Sequence, residues 1–493
     1  MEREKRTPDD IWRDDCFGRL EEANSLIAYI ESVSERLFSR EDKKAFTLAI
    51  DANYGQGKTF FLKRLAEQIA LNHPVATVDA WADDLADQPL TALVATLEEA
   101  LEPYLTRRDV AEKLGVFLEK TGKVARLVAI GLVRRGLGLL VTAQAVDAAA
   151  EALSDVSDDV DKSVKDSLKD VGQGVAADLR GGPTKSPAAD LAEQVAEFRK
   201  GQKAISDMKE SLSAIVKSLD GGDCSAPIFI LIDELDRCRP TYAIKLLEEI
   251  KHLFDVPGLV FVLAINADQL GHSVCHAYGS GFAGRAYLKR FIDREYKLAE
   301  PDLGPLLKQL WRSAGLEDER FDGFPIAFRN DNGSNRVPPW ILLAHNMRLY
   351  GLSARDSFAL IDMLQTAQAL CPSDRKMLSP YLFPLMIGAL LGKPRGVLPE
   401  PVNKLDVVYY IRTPGQPAAE PNEFENVASA FLTAAQMNDA TLTANKEGHL
   451  TYYAVWSQRQ FDVREQPIWA VERYADLIRT VSRFSNPNNQ NVL

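Results

Sequence analysis

Residues 46–59 read FTLAIDANYGQGKT, and this stretch decides the fold. Its apolar start, Phe46–Ile50, has the length of a buried parallel strand. The segment Ala52–Thr59 follows as a loop with two glycines, a lysine and a threonine. Beyond the loop, apolar residues recur near helical spacing at Phe60, Phe61, Leu62, Leu65 and Ile69. Strand, glycine loop and helix in this order predict a parallel α/β sheet that carries a phosphate-binding loop.

The loop residues are of the types that bind a phosphate chain. Gly55 and Gly57 allow the backbone to curl so that its N–H groups point at the phosphates. Lys58 offers a positive charge to the β- and γ-phosphates, and Thr59 offers a hydroxyl ligand for Mg²⁺. The strict pattern begins with glycine, whereas this loop begins with Ala52, a small residue. The other positions that we expect to contact the nucleotide are Asn53, Tyr54, Gln56 and Phe60.

A second motif, IFILIDE at residues 228–234, is an apolar strand that ends in two acids. Ligands bind at the carboxyl ends of parallel strands. We therefore expect Asp233 to hold Mg²⁺ and Glu234 to act as the general base that polarises the attacking water. Acids are also common where a strand end meets solvent, and Asp236 is an alternative base. The phosphate-binding loop favours the catalytic interpretation.

A third apolar strand, Leu259–Ile265, ends in Asn266. A polar side chain at such a strand tip can orient water and sense the γ-phosphate. Asparagine also starts turns, so both interpretations stay open.

Beside these motifs, the sequence resembles the KAP family of P-loop NTPases, within the additional-strand, catalytic-glutamate (STAND-like) group. The resemblance covers about residues 15–104 and 223–356. It rests on Phe17-Gly18-Arg19, on Val78-Asp79-Ala80-Trp81 with two substitutions, on Asp233-Glu234-Leu235-Asp236-Arg237, on Val256–Ala264 and on Tyr287–Asp293. It implies ATP and Mg²⁺ as ligands, with Gly18 and Arg19 near the nucleotide.

The resemblance also implies a helical lid whose arginine contacts the nucleotide. Asn346-Met347-Arg348 resembles the family's turn without its proline, so Arg348 is the candidate and Arg355 its rival; either arginine could instead be structural.

The expected activity is ATP hydrolysis that drives a conformational switch or the remodelling of a partner. The resemblance suggests a bacterial setting and the ATPase component of an antiphage system. The alternative is a nucleotide-gated assembly scaffold with little turnover. A small-molecule kinase is disfavoured because Glu234 is placed for water activation.

The chain of 493 residues is long enough for several domains. We expect a lead-in at residues 1–45 and an NTPase core in two parts, at residues 46–104 and 223–300. A long helical insert at residues 105–222 separates the two parts. A helical C-terminal lid at residues 301–399 and a mixed region at residues 400–493 follow. The most apolar part of the insert, Val128–Val146, is interrupted by Arg134 and Arg135. Each central arginine costs roughly 2.5–3.5 kcal/mol to insert into a bilayer, so we expect a soluble or membrane-surface helical appendage rather than a membrane span. The apolar stripe from Leu153 to Val175 should pack on another helix, within the insert or across a homo-oligomer. The alternative is a loosely packed helical arm without a partner. The insert is the expected site for protein partners.

Composition limits the remaining classes. The net charge of −12 argues against a general nucleic-acid coat, although a local basic patch stays open. Five scattered cysteines without a C-x-x-C pair predict neither a zinc site nor a disulfide framework. The charged first fifteen residues contain no apolar signal segment, which favours a cytoplasmic location.

Overall fold

A computed structural model describes residues 6–38, 44–86, 88–129, 187–219, 225–279, 281–328, 335–394, 396–411, 420–436 and 474–481. These residues fall into two compact units. The first lies within Met1–Ile11, Ala23–Ala52 and Leu62–Leu298, and the second within Trp12–Glu22, Asn53–Phe61 and Ala299–Leu493. The predicted strand at Leu450–Val455 and the stripe from Leu153 to Val175 lie outside the described residues.

The elements up to residue 297 alternate between strands and helices. In chain order they are α1 (Pro8–Ile11), α2 (Arg19–Phe38), β1 (Phe46–Asp51), α3 (Lys58–Ile69), β2 (Val75–Asp79), α4 (Ala80–Asp83), α5 (Pro89–Leu101), α6 (Arg108–Ala129), α7 (Pro187–Ser218), β3 (Ile228–Asp233), α8 (Pro240–Leu253), β4 (Leu259–Ile265), α9 (Ala267–Tyr278), α10 (Gly284–Leu288) and β5 (Arg294–Lys297).

The first unit is built on a five-stranded parallel sheet in the order β2-β3-β4-β1-β5. The three central strands are buried along almost their whole length, as their apolar sequences require. Strand β4 lies between β1 and β3, so one strand separates the phosphate-loop strand from the acidic strand. Asp51, Asp79 and Asp233 are the last residues of β1, β2 and β3, and they lie at the same edge of the sheet. The predicted α/β fold is confirmed.

The ends of the predicted insert belong to the core of this unit. Helix α6 packs along α7, and both bury apolar side chains in the cluster that contains the sheet residues Ile230 and Phe261. The buried contributors are Leu114, Phe117 and Val124 from α6 and Met208, Leu212 and Ile215 from α7. These two helices therefore contribute to the hydrophobic core of this unit, and the bounds of the appendage at residues 105 and 222 stay a prediction.

The second unit is mainly helical and includes short strands. Beyond residue 300 its elements are α11 (Leu303–Ser313), β6 (Phe321–Asp322), β7 (Ile326–Phe328), α12 (Pro339–Leu349), α13 (Ala354–Leu370), β8 (Met377–Leu378), α14 (Ser379–Leu390), β9 (Val407–Ile411), β10 (Glu420–Asn422), α15 (Phe424–Gln436) and α16 (Tyr474–Val481). Strands β7, β9 and β10 form an antiparallel sheet, and β6 pairs with β8 in parallel.

One core joins the predicted lid to the predicted C-terminal region. Tyr409 of β9 stacks on Phe424 of α15 with ring centroids 4.0 Å apart. Tyr474 of α16 accepts a hydrogen bond from the Leu378 amide at 2.7 Å. These residues lie in the same buried cluster as Trp311 of α11. This core contains residues from both sides of position 400, and the domain boundary there stays a prediction.

No helix in the described parts of the chain is long and apolar enough to cross a membrane.

Candidate functional site

The phosphate loop, residues 52–57, leaves the sheet directly after β1. The Ala52 amide still bonds to the Ile265 carbonyl oxygen of β4 at 3.1 Å. Gly55 and Gly57 have φ angles of +80° and +82°, in the left-handed region that glycine favours. The Asn53 amide donates to Oε1 of Gln56 at 2.8 Å, which closes the loop on itself. The loop thus has the tight curl that phosphate binding requires.

Helix α3 begins at Lys58, and its first turn contains no acidic residue. Its amino-terminal N–H groups and the positive end of its dipole therefore suit an anion. The Lys58 ammonium lies 5.1 Å from the centroid of the Tyr54 ring, which is 43% exposed. Thr59 and Phe60 occupy the same first turn, as predicted.

Residues 12–19 support the loop from one side. The Phe17 ring lies against Gly57, 3.6 Å from where a Cβ on that glycine would stand. Phe17 also meets Phe60 edge to face at 5.7 Å, and Trp12 meets Phe61 at 5.8 Å. Gly18 has a φ of +68°, which turns the chain into α2. Apart from the Phe17-Gly18-Arg19 motif, no sequence pattern singled out these aromatic contacts.

Arg19 is almost completely buried, at 1% exposure. Its guanidinium donates to the Gln56 carbonyl oxygen at 3.2 Å and to Glu22 at 2.5 Å. Asp15 accepts the Arg19 amide hydrogen. Gly18 and Arg19 were predicted near the nucleotide, and the structure places Arg19 on the backbone of the phosphate loop.

The start of helix α13 supports the loop from another side. A Cβ on Gly55 would stand 2.5 Å from Oγ of Ser353 and 3.5 Å from Cβ of Arg355. Ser353 caps the helix and shares a capping box with Asp356. Nε of Arg355 is buried and has no hydrogen-bond partner among the described residues.

Arg348 lies elsewhere in this unit, in the last turn of α12, and its side chain is exposed. Of the two predicted arginines, Arg355 is therefore the one that the structure brings to the loop. The Asn346 side chain is fully buried and donates to the Leu342 carbonyl oxygen at 2.8 Å, which is a structural contact.

The two predicted carboxylates follow each other at the end of β3. Oδ1 of Asp233 accepts the Glu234 amide hydrogen at 2.8 Å. Glu234 has a φ of +58°, a left-handed backbone conformation that is rare for residues other than glycine. Burial raises the pKa of Glu234, the Arg237 guanidinium opposes the rise, and Asp233, Asp79 and Asp236 add to it. The carboxylate is 17% exposed, so it combines strain, burial and a shifted pKa, as functional acids often do.

Arg237 and Asp236 complete this segment. Nη1 of Arg237 lies 3.0 Å from Oε1 of Glu234, and its guanidinium carbon lies 5.9 Å from the centroid of the Trp81 ring. Asp236 is buried and accepts the Asn266 amide hydrogen at 3.0 Å, so its carboxylate ties the turn to the end of β4. The sequence marked Arg237 only as part of a motif, because pairing at i and i+3 depends on the turn after β3.

Asn266 is buried at the start of α9. Its side-chain oxygen accepts the Gln269 amide hydrogen at 3.0 Å and caps the helix. The structure thus shows the capping role that asparagine commonly has, and a role in sensing phosphate stays a prediction.

Within the described ranges, no three His, Cys, Asp or Glu side chains gather into a group that could hold a metal ion. Mg²⁺ in nucleotide sites uses one or two protein oxygens and the substrate phosphates. A carboxylate at Asp233 and a hydroxyl at Thr59 are donors of this kind.

Comparisons with known proteins identify a family domain in this chain. Residues 21–358 match the model of the KAP family P-loop domain. No curated protein matches the chain.

Two solved structures match at low identity. C. elegans PCH-2 is 11% identical, with 76% of this chain and 69% of that chain covered and a TM-score of 0.29. The Aeropyrum pernix ORC2 protein, solved in ADPNP–ADP complexes, is 12% identical, with 94% of each chain covered and a TM-score of 0.28. Both TM-scores are too low to support any statement beyond the match itself.

The family match extends over well over half of the chain and includes the phosphate loop, Asp233, Glu234 and Asn266. The chain belongs to the KAP family of P-loop NTPases.

Proposed function

We propose that this protein binds ATP with Mg²⁺ in the cytoplasm and hydrolyses it to drive a conformational switch or the remodelling of a protein partner. Lys58 and the loop N–H groups bind the phosphates, and Glu234 activates the attacking water. Asn53, Tyr54 and Gln56 complete the nucleotide contacts, with Arg19 holding the loop from behind.

The proposal rests on the backbone conformation and the burial of Glu234. Its backbone is held in a left-handed conformation at φ +58°, directly after a buried strand, and its carboxylate is largely buried. Such a conformation costs roughly 1–3 kcal/mol and persists where the surrounding structure imposes it, often at active sites. A glutamate at a solvent-facing strand end would need neither the left-handed backbone nor the buried carboxylate. The geometry therefore supports the role of general base.

Mg²⁺ is assigned to Thr59 and Asp233. When bound, the ion neutralises charge on the β- and γ-phosphates. Asp233 keeps its carboxylate at the carboxyl edge of the sheet, with one oxygen on the Glu234 amide. A carboxylate is the kind of ligand that would hold the ion or its water shell.

Arg355 is assigned as the arginine that reads the bound nucleotide. It follows Ser353 at the start of α13, against Gly55 of the loop, and its buried Nε has no hydrogen-bond partner among the described residues. A guanidinium placed there can supply donors to phosphate oxygens. Arg348 is exposed at the far end of the neighbouring helix α12 and fits this role less well.

Single-site variants of the full chain test the hydrolysis mechanism. Glu234→Gln keeps the shape of the side chain and removes the base, so ATP turnover should fall by about 10²–10⁴-fold while nucleotide affinity persists. Lys58→Ala should abolish tight binding, because the helix start then lacks its cation. The matched control is Glu300→Gln, which changes an exposed glutamate outside both motifs. Normal turnover in Glu234→Gln together with an inactive Asp236→Asn would move the base to Asp236.

The same measurements address the alternative, a nucleotide-gated scaffold. It gains support from the ion pair that engages Glu234 in this structure. A wild-type chain that binds ATP tightly, changes its assembly state and shows no turnover under any condition would favour the scaffold.

The proposed setting is a bacterial antiphage system in which this chain is the ATPase component, with a protein partner held through the insert and a homo-oligomer as one form of assembly. Cells that express the wild-type protein with its genomic neighbours should survive phage challenge. Cells with Lys58→Ala or Glu234→Gln should lose that protection. Equal survival with all three proteins would refute the antiphage role and leave the ATPase assignment intact.

A further inference from the structure

Arg237 is the cation closest in sequence to the proposed base. It ends the short 3-10 turn Leu235–Arg237 that follows Glu234. Its Nη1 lies 3.0 Å from Oε1 of Glu234, the geometry of a charge-assisted hydrogen bond. One oxygen of the base is therefore engaged by an arginine of the same turn.

The guanidinium of Arg237 also lies over an aromatic ring. Its central carbon is 5.9 Å from the centroid of Trp81, within the range of a cation–π contact. Trp81 is 54% exposed, whereas the side chains of Arg237 and Glu234 are 34% and 17% exposed. The three residues form a path from the protein surface to the buried carboxylate.

The turn that carries Arg237 is anchored. The Arg237 amide bonds to the Glu234 carbonyl oxygen at 3.0 Å, and Leu235 and Asp236 are buried. Asp236 accepts the Asn266 amide hydrogen at 3.0 Å. Since the backbone between the two charged side chains is fixed at both ends, their pairing depends mainly on rotamers.

A second arginine in the same segment pairs differently. Nε of Arg239 lies 2.9 Å from Oδ1 of Asp84, and the Arg239 amide bonds to the other carboxylate oxygen at 3.0 Å. Asp84 rather than Glu234 thus neutralises Arg239. The neighbouring arginine shows that the segment can hold a cation without engaging the base.

We propose that the Arg237–Glu234 ion pair is an autoinhibitory contact that holds the catalytic base away from water, and that Trp81 keeps Arg237 in this position. The inference rests on the proposed role of Glu234. A general base needs a carboxylate oxygen open to the water it activates. Hydrolysis then requires Arg237 to rotate away from Glu234, so Arg237 is a positioning residue. We call the contacts of Arg237 with Glu234 and Trp81 the lock, and the exposed Trp81 ring is its outer end.

Steady-state ATP turnover of full-length variants tests the lock. Arg237→Gln removes the charge and should raise kcat by about threefold to tenfold, the effect expected of losing one hydrogen bond from a partly exposed donor. KM should change by less than about twofold, because the substitution leaves the phosphate loop intact. Trp81→Ala should raise kcat less than Arg237→Gln does. Arg237→Lys should leave kcat close to the wild-type value, because lysine keeps the positive charge. Arg239→Gln is the matched control and should not raise kcat.

The outcomes separate this inference from the proposed function. Adding Glu234→Gln to Arg237→Gln should abolish the raised turnover. Turnover in Arg237→Gln that is unchanged or lower, with nucleotide binding retained, overturns the lock and leaves the hydrolysis mechanism standing. A silent wild type whose Arg237→Gln variant hydrolyses ATP supports the lock. Absence of turnover in both proteins refutes the proposed function and the lock with it.

Discussion

At the scale of single residues, the two glycines of the phosphate loop have similar backbones and different surroundings. Both have φ near +80°, where an added Cβ costs about 1–2 kcal/mol. A Cβ on Gly55 would stand 2.5 Å from Oγ of Ser353, whereas one on Gly57 would meet Phe17 at an ordinary 3.6 Å. Gly55→Ala should therefore lower stability and nucleotide affinity more than Gly57→Ala. Thermal unfolding and titration with a fluorescent ATP analogue measure the difference. Equal effects of the two substitutions would show that the Ser353 side chain can move away from the added Cβ without lowering stability.

The two candidate arginines form a second matched pair. Arg355→Ala should reduce kcat, because its guanidinium lies beside the loop. Arg348→Ala should leave kcat close to the wild-type value, since that side chain is exposed at the end of α12. Turnover at saturating ATP, with affinity measured separately, distinguishes the two. A kcat that falls only in Arg348→Ala would reverse the assignment.

These residues also show where prediction from the sequence stopped. Gly55, Lys58, Asp233 and Glu234 could be proposed as site residues from the sequence, because their positions depend on local spacing along a strand, a loop and a helix start. Arg355 could not be preferred over Arg348, because its contact with Gly55 joins residues about 300 positions apart. Asn266 shows the converse: its position at the strand end was predicted, but its side chain caps α9.

At the scale of elements, helices α6 and α7, which lie at the two ends of the predicted insert, lead to opposing predictions for two deletions. Removing residues 130–186 and joining α6 to α7 with a Gly/Ser linker keeps the buried side chains of both helices. Removing residues 110–218 takes away Phe117, Leu212 and Ile215, which are fully buried. Each large-to-small loss of this kind costs about 2–5 kcal/mol, and whole-chain stability is only about 5–15 kcal/mol.

The shorter deletion should thus retain ATP binding, and the longer one should yield an unfolded or aggregated protein. Circular dichroism with ATP-induced thermal stabilisation reports both properties. A well-folded, ATP-binding product of the longer deletion would show that α6 and α7 are dispensable to the core.

Element prediction succeeded where local pattern was sufficient. The predicted strand Leu259–Ile265 matches the observed β4, and the predicted strand Phe46–Ile50 ends one residue before the observed end of β1. The short strands β6, β7 and β8 were missed, because two or three residues carry no periodicity. Their pairing depends on partners that lie far away in the sequence. The core that includes both sides of residue 400 could not be predicted for a similar reason, because Trp311 lies before that position and the stacked pair of Tyr409 and Phe424 lies beyond it.

At the scale of the whole molecule, nucleotide binding should raise the unfolding temperature, because a ligand of the native state stabilises it by RT ln(1 + [L]/Kd). Chelation of Mg²⁺ should remove most of the rise, since Thr59 and Asp233 would hold the ion in the proposed site and the ion would neutralise phosphate charge. Asp233→Asn should show the smaller rise even with Mg²⁺ present. A full rise in EDTA would indicate binding without the metal.

The contact between Gly55 and Ser353 has a consequence for synthesis. The phosphate loop leaves the ribosome early, together with its neighbours Trp12 and Phe17. The start of α13 follows about 300 residues later, which at roughly 5–20 residues per second is on the order of 15–60 s. During that interval a nascent chain can form one wall of the loop and lacks the other. A ribosome-stalled chain that ends before residue 353 should therefore bind ATP more weakly than one that extends beyond α13, so the capacity for nucleotide matures late in translation.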